Sequence, residues 1–158
     1  MKIGTTDIKD VKFGETQVTK IMLGGEEVWK YGEDELYIYA GGRNTQTVRK
    51  YLKSDMSYIG ETVSYGGNIY SLVIDDTHIY VGGIMQKVSK YLKSDMSYVG
   101  ETGVSYGGYI YTIAMDDTYI YVGGATTNRV RKYLKSDLSY IGETESYGGT
   151  IYSIAIEN

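Results

Sequence analysis

Apolar and polar residues alternate along most of this chain in short runs, and glycine interrupts the runs roughly every ten residues. Period-two alternation over four to eight residues predicts β-strands, and no segment carries the 3.6-residue apolar period of an amphipathic helix. The runs come in sets of four. A first strand is expected at 69–74, matched at 110–115 and 151–156. An Asp-Asp-Thr turn follows at 75–77 and 116–118, where the side chains can bond nearby backbone amides. The second strand is expected at 37–40, 78–81 and 119–122, ended by a Gly-Gly pair. The third covers 48–52, 88–92 and 130–134. A Lys-Ser-Asp-x-Ser turn leads to the fourth, which starts at Tyr58, Tyr98 and Tyr140.

The repeat is regular. Tyr-Leu-Lys-Ser-Asp begins at Tyr51, Tyr91 and Tyr133, and the Gly-Gly pairs at Gly41, Gly82 and Gly123 stand 41 residues apart. A period near 40 with four strands per unit is the mark of a propeller blade. The expected fold is all-β, with three four-stranded blades over residues 32–158 and a small β module over 1–31. An open stack of repeats is the competing architecture, and it would need distinct capping units that this chain does not show.

The two ends of the blade region fit each other. Blade one starts at the second strand, with Leu36 and Ile38, and the run 151–156 is a first strand with nothing after it. Three blades are fewer than the four to eight that close a ring. Two chains supply six. The expectation is therefore a homodimeric six-bladed ring, closed by strand exchange through Ile151, Tyr152, Ile154 and Ile156 against Leu36 and Ile38. Left alone, such a first strand would expose its backbone donors and acceptors.

Residues 1–31 keep a shorter rhythm. Gly4–Phe13 aligns with Gly14–Leu23, and Gly24 begins a third copy that runs to Trp29 and Lys30. About one strand and one turn per ten residues are expected, and three such strands need a partner to bury their apolar side.

Composition changes the picture in a few places. There are 19 Tyr against one Phe and one Trp, 21 Gly, and neither Pro nor Cys. No disulfide or thiolate metal site can form, and the absence of Cys suits a reducing or an oxidising compartment equally. No apolar run is long enough to span a membrane, and the first residues lack the apolar stretch of a signal peptide. A net charge of −4 with both signs interspersed speaks against a nucleic-acid partner.

Candidate chemistry is sparse. The pairs Asp75-Asp76 and Asp116-Asp117 lack calcium-loop spacing, and turn chemistry accounts for them; no metal or cofactor is expected. His78 occupies a slot that holds Tyr37 and Tyr119 elsewhere, so no Ser-His-Asp set can be argued and no enzyme is expected. Lysines 50, 53, 90, 93, 132 and 135 are expected to solvate the outer strands. Tyr65, Tyr106 and Tyr147 precede a Gly-Gly pair in every copy. They would either offer flat rings to a ligand or lock one blade to the next. The loop after the second strand varies most between copies, with Arg43, Asn44 and Gln46 in one, Gln86 in the next, Asn128 and Arg129 in the third. The residue after the later Gly-Gly varies too, as Asn68, Tyr109 and Thr150. In a four-stranded blade both variable segments lie on one face of the disc. Loops on a rigid scaffold usually carry binding, so that face is the expected ligand face, for a glycan or a surface protein.

The pattern Gly-x-Thr-x-Val-x-Lys-Ile-x-Leu followed by Val-Trp resembles short modules of phage tail and structural proteins. The blade motif Asp-Asp-Thr-Tyr-Ile-Tyr-Val-Gly-Gly is similar to repeats of phage-associated propeller proteins. The resemblance implies a virion setting. It is compatible with a lectin-like binding module or with a structural assembly protein, in which the propeller is a spacer and residues 1–31 a connector.

Overall fold

The computed structural model of the chain describes residues 36–157 and, before them, the backbone of six short strands between residues 2 and 30. These six form three antiparallel pairs: β1 (Lys2–Ile3) with β2 (Thr6–Asp7), β3 (Lys12–Phe13) with β4 (Thr16–Gln17), and β5 (Lys20–Leu23) with β6 (Glu26–Lys30). Each full ten-residue repeat thus supplies two short strands, where the sequence pattern suggested one. How this module buries its apolar side lies outside the described residues.

The remainder is three antiparallel sheets and, among the described residues, no helix. Blade one has three strands: β7 (Tyr37–Gly41), β8 (Val48–Leu52) and β9 (Tyr58–Glu61). Blade two has four: β10 (Ile69–Ile74), β11 (His78–Gly83), β12 (Ser89–Leu92) and β13 (Tyr98–Glu101). Blade three repeats this with β14 (Ile110–Met115), β15 (Tyr119–Gly124), β16 (Arg131–Leu134) and β17 (Tyr140–Glu143). Within each sheet the strands follow chain order, as hairpins require. The sheets do not close on themselves. Residues 151–157 run on from blade three and join no ladder among the described residues.

The second strands end on the Gly-Gly pairs, at Gly41, Gly83 and Gly124. Their role is steric. A Cβ on Gly82 would stand 2.5 Å from Ile110 Cγ2, and one on Gly41 would stand 2.8 Å from Ile69 Cγ2. The first glycine of each pair therefore makes the slot into which the next blade's first isoleucine drops.

The core lies between blades. Ile79, Val81, Tyr91 and Met96 of blade two close on Val48 of blade one. Ile120, Val122, Tyr133 and Leu138 of blade three close on Tyr80 and Val88 of blade two. Alternation along β11 explains this: Ile79 and Val81 face one neighbour, and Tyr80 faces the other.

Candidate functional site

Each junction between blades uses the same two polar ties. The Tyr65 hydroxyl donates to the Lys87 carbonyl of blade two at 2.9 Å, and Tyr106 does the same to the Arg129 carbonyl of blade three at 2.9 Å. Both rings are buried. Burial is the main force holding the Tyr65 hydroxyl far above its ordinary pKa. These two tyrosines lock one blade to the next, the packing alternative of the two readings, and their buried rings are not offered to a ligand. The second tie was not legible in the sequence. Lys50 and Lys90, expected to lie in solvent, are buried. Lys50 Nζ donates to the Lys93 carbonyl at 3.1 Å; Lys90 Nζ donates to the carbonyls of Lys135 at 2.7 Å and Ser136 at 3.3 Å. Burial pulls Lys90 below its usual pKa. A lysine on the third strand thus caps the next blade's turn.

The turn face carries Asp75 and Asp116 in capping roles. Asp75 Oδ1 accepts from the amides of Thr77 (2.9 Å) and His78 (2.7 Å), and Oδ2 accepts from the Tyr80 hydroxyl at 2.9 Å. Lys135 Nζ lies 3.2 Å from the same Oδ2. Asp116 repeats the pattern with the amides of Thr118 and Tyr119 and with the Tyr121 hydroxyl, each at 2.7 Å. Burial alone would raise the Asp75 pKa. The two amides, Tyr80 and Lys135 outweigh it and hold the carboxyl well below the usual carboxylate range. His78 Nδ1 lies 2.7 Å from Thr77 Oγ1. Partial burial, then the nearby Lys90, lowers its pKa. A cleft of about 950 Å³ opens between the two turns, but Asp75 and Asp116 are already committed to its walls. Among the described residues no group of three or more His, Asp or Glu side chains could hold a metal ion.

The opposite face carries the variable loops. Arg43 and Asn44 are exposed, and Gln46, Asn68, Gln86, Asn128 and Arg129 are half-buried. Asn44, Gln46, Gln86 and Asn128 have φ of 70°, 58°, 62° and 54°. Such left-handed backbone is rare outside glycine and asparagine, so these loops are held in place. The hold comes from below: the Tyr65, Tyr106 and Tyr147 amides donate to the carbonyls of Gln46, Gln86 and Asn128, each at 2.7 Å. Arg129 is drawn back onto its own blade, through the Thr144 carbonyl at 2.9 Å and Glu143 at 3.5 Å.

The first-strand segments carry an aromatic stripe that strand alternation did not single out. The β10–β11 register skips from Ile69–Gly83 to Ser71–Gly82, and β14–β15 skips from Ile110–Gly124 to Thr112–Gly123. Tyr70 and Tyr111 are therefore the extra residues of β-bulges, and a bulge re-aims its side chain. Tyr70 and Tyr111 meet at 5.3 Å between ring centroids, and Tyr111 stacks on Tyr152 at 5.2 Å. Tyr109 closes on both, at 6.4 Å from each. Four tyrosines, Tyr70 on β10, Tyr109 just before β14, Tyr111 on β14 and Tyr152 on the 151–157 segment, make one patch, with Tyr109 and Tyr152 exposed. The signal that could have found it is the Ile-Tyr pair that opens every first strand.

The two outer faces of the arc are unlike its inner junctions. Met56 is 62% exposed, whereas Met96 and Leu138, at the same repeat position, are 6% and 4% exposed. Tyr147 is 75% exposed, against 7% for Tyr65 and 1% for Tyr106. Leu36 is exposed and Ile38 is half-buried. At the other end, Ile151 is already seated against Gly123, as Ile69 is against Gly41, and its amide donates to the Gly124 carbonyl at 3.0 Å. Ile154 and Ile156 remain half-buried and Tyr152 exposed.

No protein-family model and no curated protein matches the chain. Solved structures do share its fold. The computationally designed Ika4 protein superposes with a TM-score of 0.69 over 77% of this chain and 74% of its own, at 8% identity. The computationally designed Ika8 protein gives 0.68 over 80% of this chain, at 11% identity, and U3-55K gives 0.65 over 72%, at 8%. This chain spans 39% of Ika8 and 37% of U3-55K. At such identities the likeness speaks for the fold alone, a β-propeller-like arrangement of blades.

Proposed function

We propose that this chain is a non-enzymatic, lectin-like binding module, working as a six-bladed ring of two copies with its ligand on the variable-loop face. The observation that carries the reading is the tyrosine patch of Tyr70, Tyr109, Tyr111 and Tyr152. The β-bulges at Tyr70 and Tyr111 bring these rings together, and Arg43, Asn44, Gln46 and Asn68 belong to the variable segments of the same face. Flat rings with hydroxyl edges suit the apolar C–H face and the hydroxyls of a sugar ring, and amide side chains supply hydrogen bonds at the rim. The ring is supported by the unlike exposure of repeat-equivalent residues at the arc's two outer faces. The resemblance to phage repeats suggests a virion surface as its setting.

A glycan array followed by calorimetry on the best hit tests this. Tyr111→Ala should weaken binding about 5- to 30-fold, since losing one stacked aromatic removes about 1–2 kcal/mol. A folded, oligomeric protein that binds no glycan would shift the reading to the scaffold alternative. That alternative draws on the three strand pairs ahead of the blades, which form a module separate from them in sequence.

A further inference from the structure

We infer that Glu157 of a second copy completes blade one, taking the place that Asp75 and Asp116 hold in blades two and three. The inference rests on the ring proposed above and names the residue that seals it. Tyr80 and Tyr121 donate their hydroxyls to Asp75 Oδ2 and Asp116 Oδ2. Tyr39 is their equivalent in blade one, and its hydroxyl oxygen is buried without a hydrogen-bond partner among the described residues. A buried hydroxyl left unpaired is costly, which marks the position as awaiting an acceptor.

The acceptor should come from a first strand, because Asp75 and Asp116 directly follow Ile74 of β10 and Met115 of β14. Among the described residues blade one has no first strand, and β7 pairs with β8 alone. Residues 151–157 have the right sequence and the right start. Ile151 sits in the Gly123 slot, and Glu157 follows Ile156 as Asp75 follows Ile74. In one chain this segment leaves the far side of blade three, so it reaches a blade one only on another copy. The ladders of blades two and three then set the register. Leu72–Val81, Val73–Tyr80 and Ile74–Ile79 translate to Ile154–Ala40, Ala155–Tyr39 and Ile156–Ile38 between copies. Glutamate is one methylene longer than aspartate, which gives it reach from a strand not joined covalently to β7. The same seam supplies two further bonds by equivalence. Tyr147 would donate to the Thr47 carbonyl, and Lys132 to the Lys53 carbonyl, of the second copy.

Sedimentation equilibrium on the full chain tests the role of Glu157. Two seams per ring each lose a charge-assisted bond in Glu157→Ala, so the dissociation constant of the dimer should rise about 100-fold. The double variant Tyr39→Phe/Glu157→Ala should be little worse than Glu157→Ala alone. Asp34 stands at the same repeat position in sequence; weakening by Asp34→Asn but not by Glu157→Ala would overturn the assignment. So would a dimer indifferent to Glu157→Ala, although the ring itself would stand. A monomeric parent chain would remove both. The chain has no cysteine, so Ala40→Cys/Ile154→Cys gives a clean second measurement. Oxidation should yield covalent dimers, and failure to cross-link in a dimeric protein would contradict the register.

Discussion

Replacing Tyr147 by alanine separates folding of the chain from its assembly. In blades one and two the equivalent residues, Tyr65 and Tyr106, are buried and bonded to the next blade; Tyr147 is exposed and meets no next blade among the described residues. Burying a large side chain contributes about 1.5–3 kcal/mol. A neutral hydrogen bond adds about 1 kcal/mol. Each seam therefore gains about 3 kcal/mol from Tyr147, and a symmetric pair has two seams. The dimer should weaken by about 6 kcal/mol, roughly four decades in its dissociation constant. Tyr147→Phe keeps the ring and loses only the bonds, so about 2 kcal/mol and roughly 30-fold are expected. Tyr106→Ala acts inside one chain and should lower its unfolding free energy by about 3–5 kcal/mol. Sedimentation equilibrium gives the dissociation constants, and urea unfolding gives the chain stabilities. A Tyr147→Ala dimer within threefold of the parent would refute the reasoning, because an exposed, strand-linking tyrosine would then have no seam to fill.

Other changes probe the inner junctions. Gly82→Ala places a methyl against the buried Ile110 and should cost about 1–3 kcal/mol in urea unfolding; unchanged stability would show that the slot is not tight. Lys90→Met leaves the carbonyls of Lys135 and Ser136 without their donor, so a loss of about 1–3 kcal/mol is expected, and a more stable variant would contradict the capping role. Asp75 is depressed in the folded state, so its contribution is full above its unfolded pKa of about 4 and is lost as pH falls toward the folded value. The stability gap between parent and Asp75→Asn should be flat from pH 7 down to about 5 and shrink below about 4. A gap independent of pH would mean that Asp75 acts only by shape.

Strand identity, repeat length and blade number were legible because they rest on period-two alternation and on glycine punctuation, both local. The locking tyrosines were half legible: their constancy in all three copies favoured packing over binding, and the buried hydroxyls of Tyr65 and Tyr106 agree. The Lys50 and Lys90 ties were not legible. Lysine is rarely buried, and nothing in the pattern Lys-Tyr-Leu-Lys-Ser-Asp says that a carbonyl in the turn of the next blade will meet the ammonium. The tyrosine patch was hidden for a different reason. Strict alternation assigns Tyr70 to a face, but the bulge against Gly82 and Gly83 is a property of pairing and moves the ring elsewhere. The left-handed glutamines at 46 and 86 were equally invisible, since their φ is set by the amides of Tyr65 and Tyr106.

The central claim is that the two outer faces of the three-blade arc are one junction cut in half. Light scattering on the 158-residue chain, eluting from a size-exclusion column, tests it most directly. A mass of two chains of 17.7 kDa each is expected, held at micromolar concentration and lost when residues 150–158 are removed. A monomer, a three-chain species, or a dimer indifferent to that truncation would contradict it.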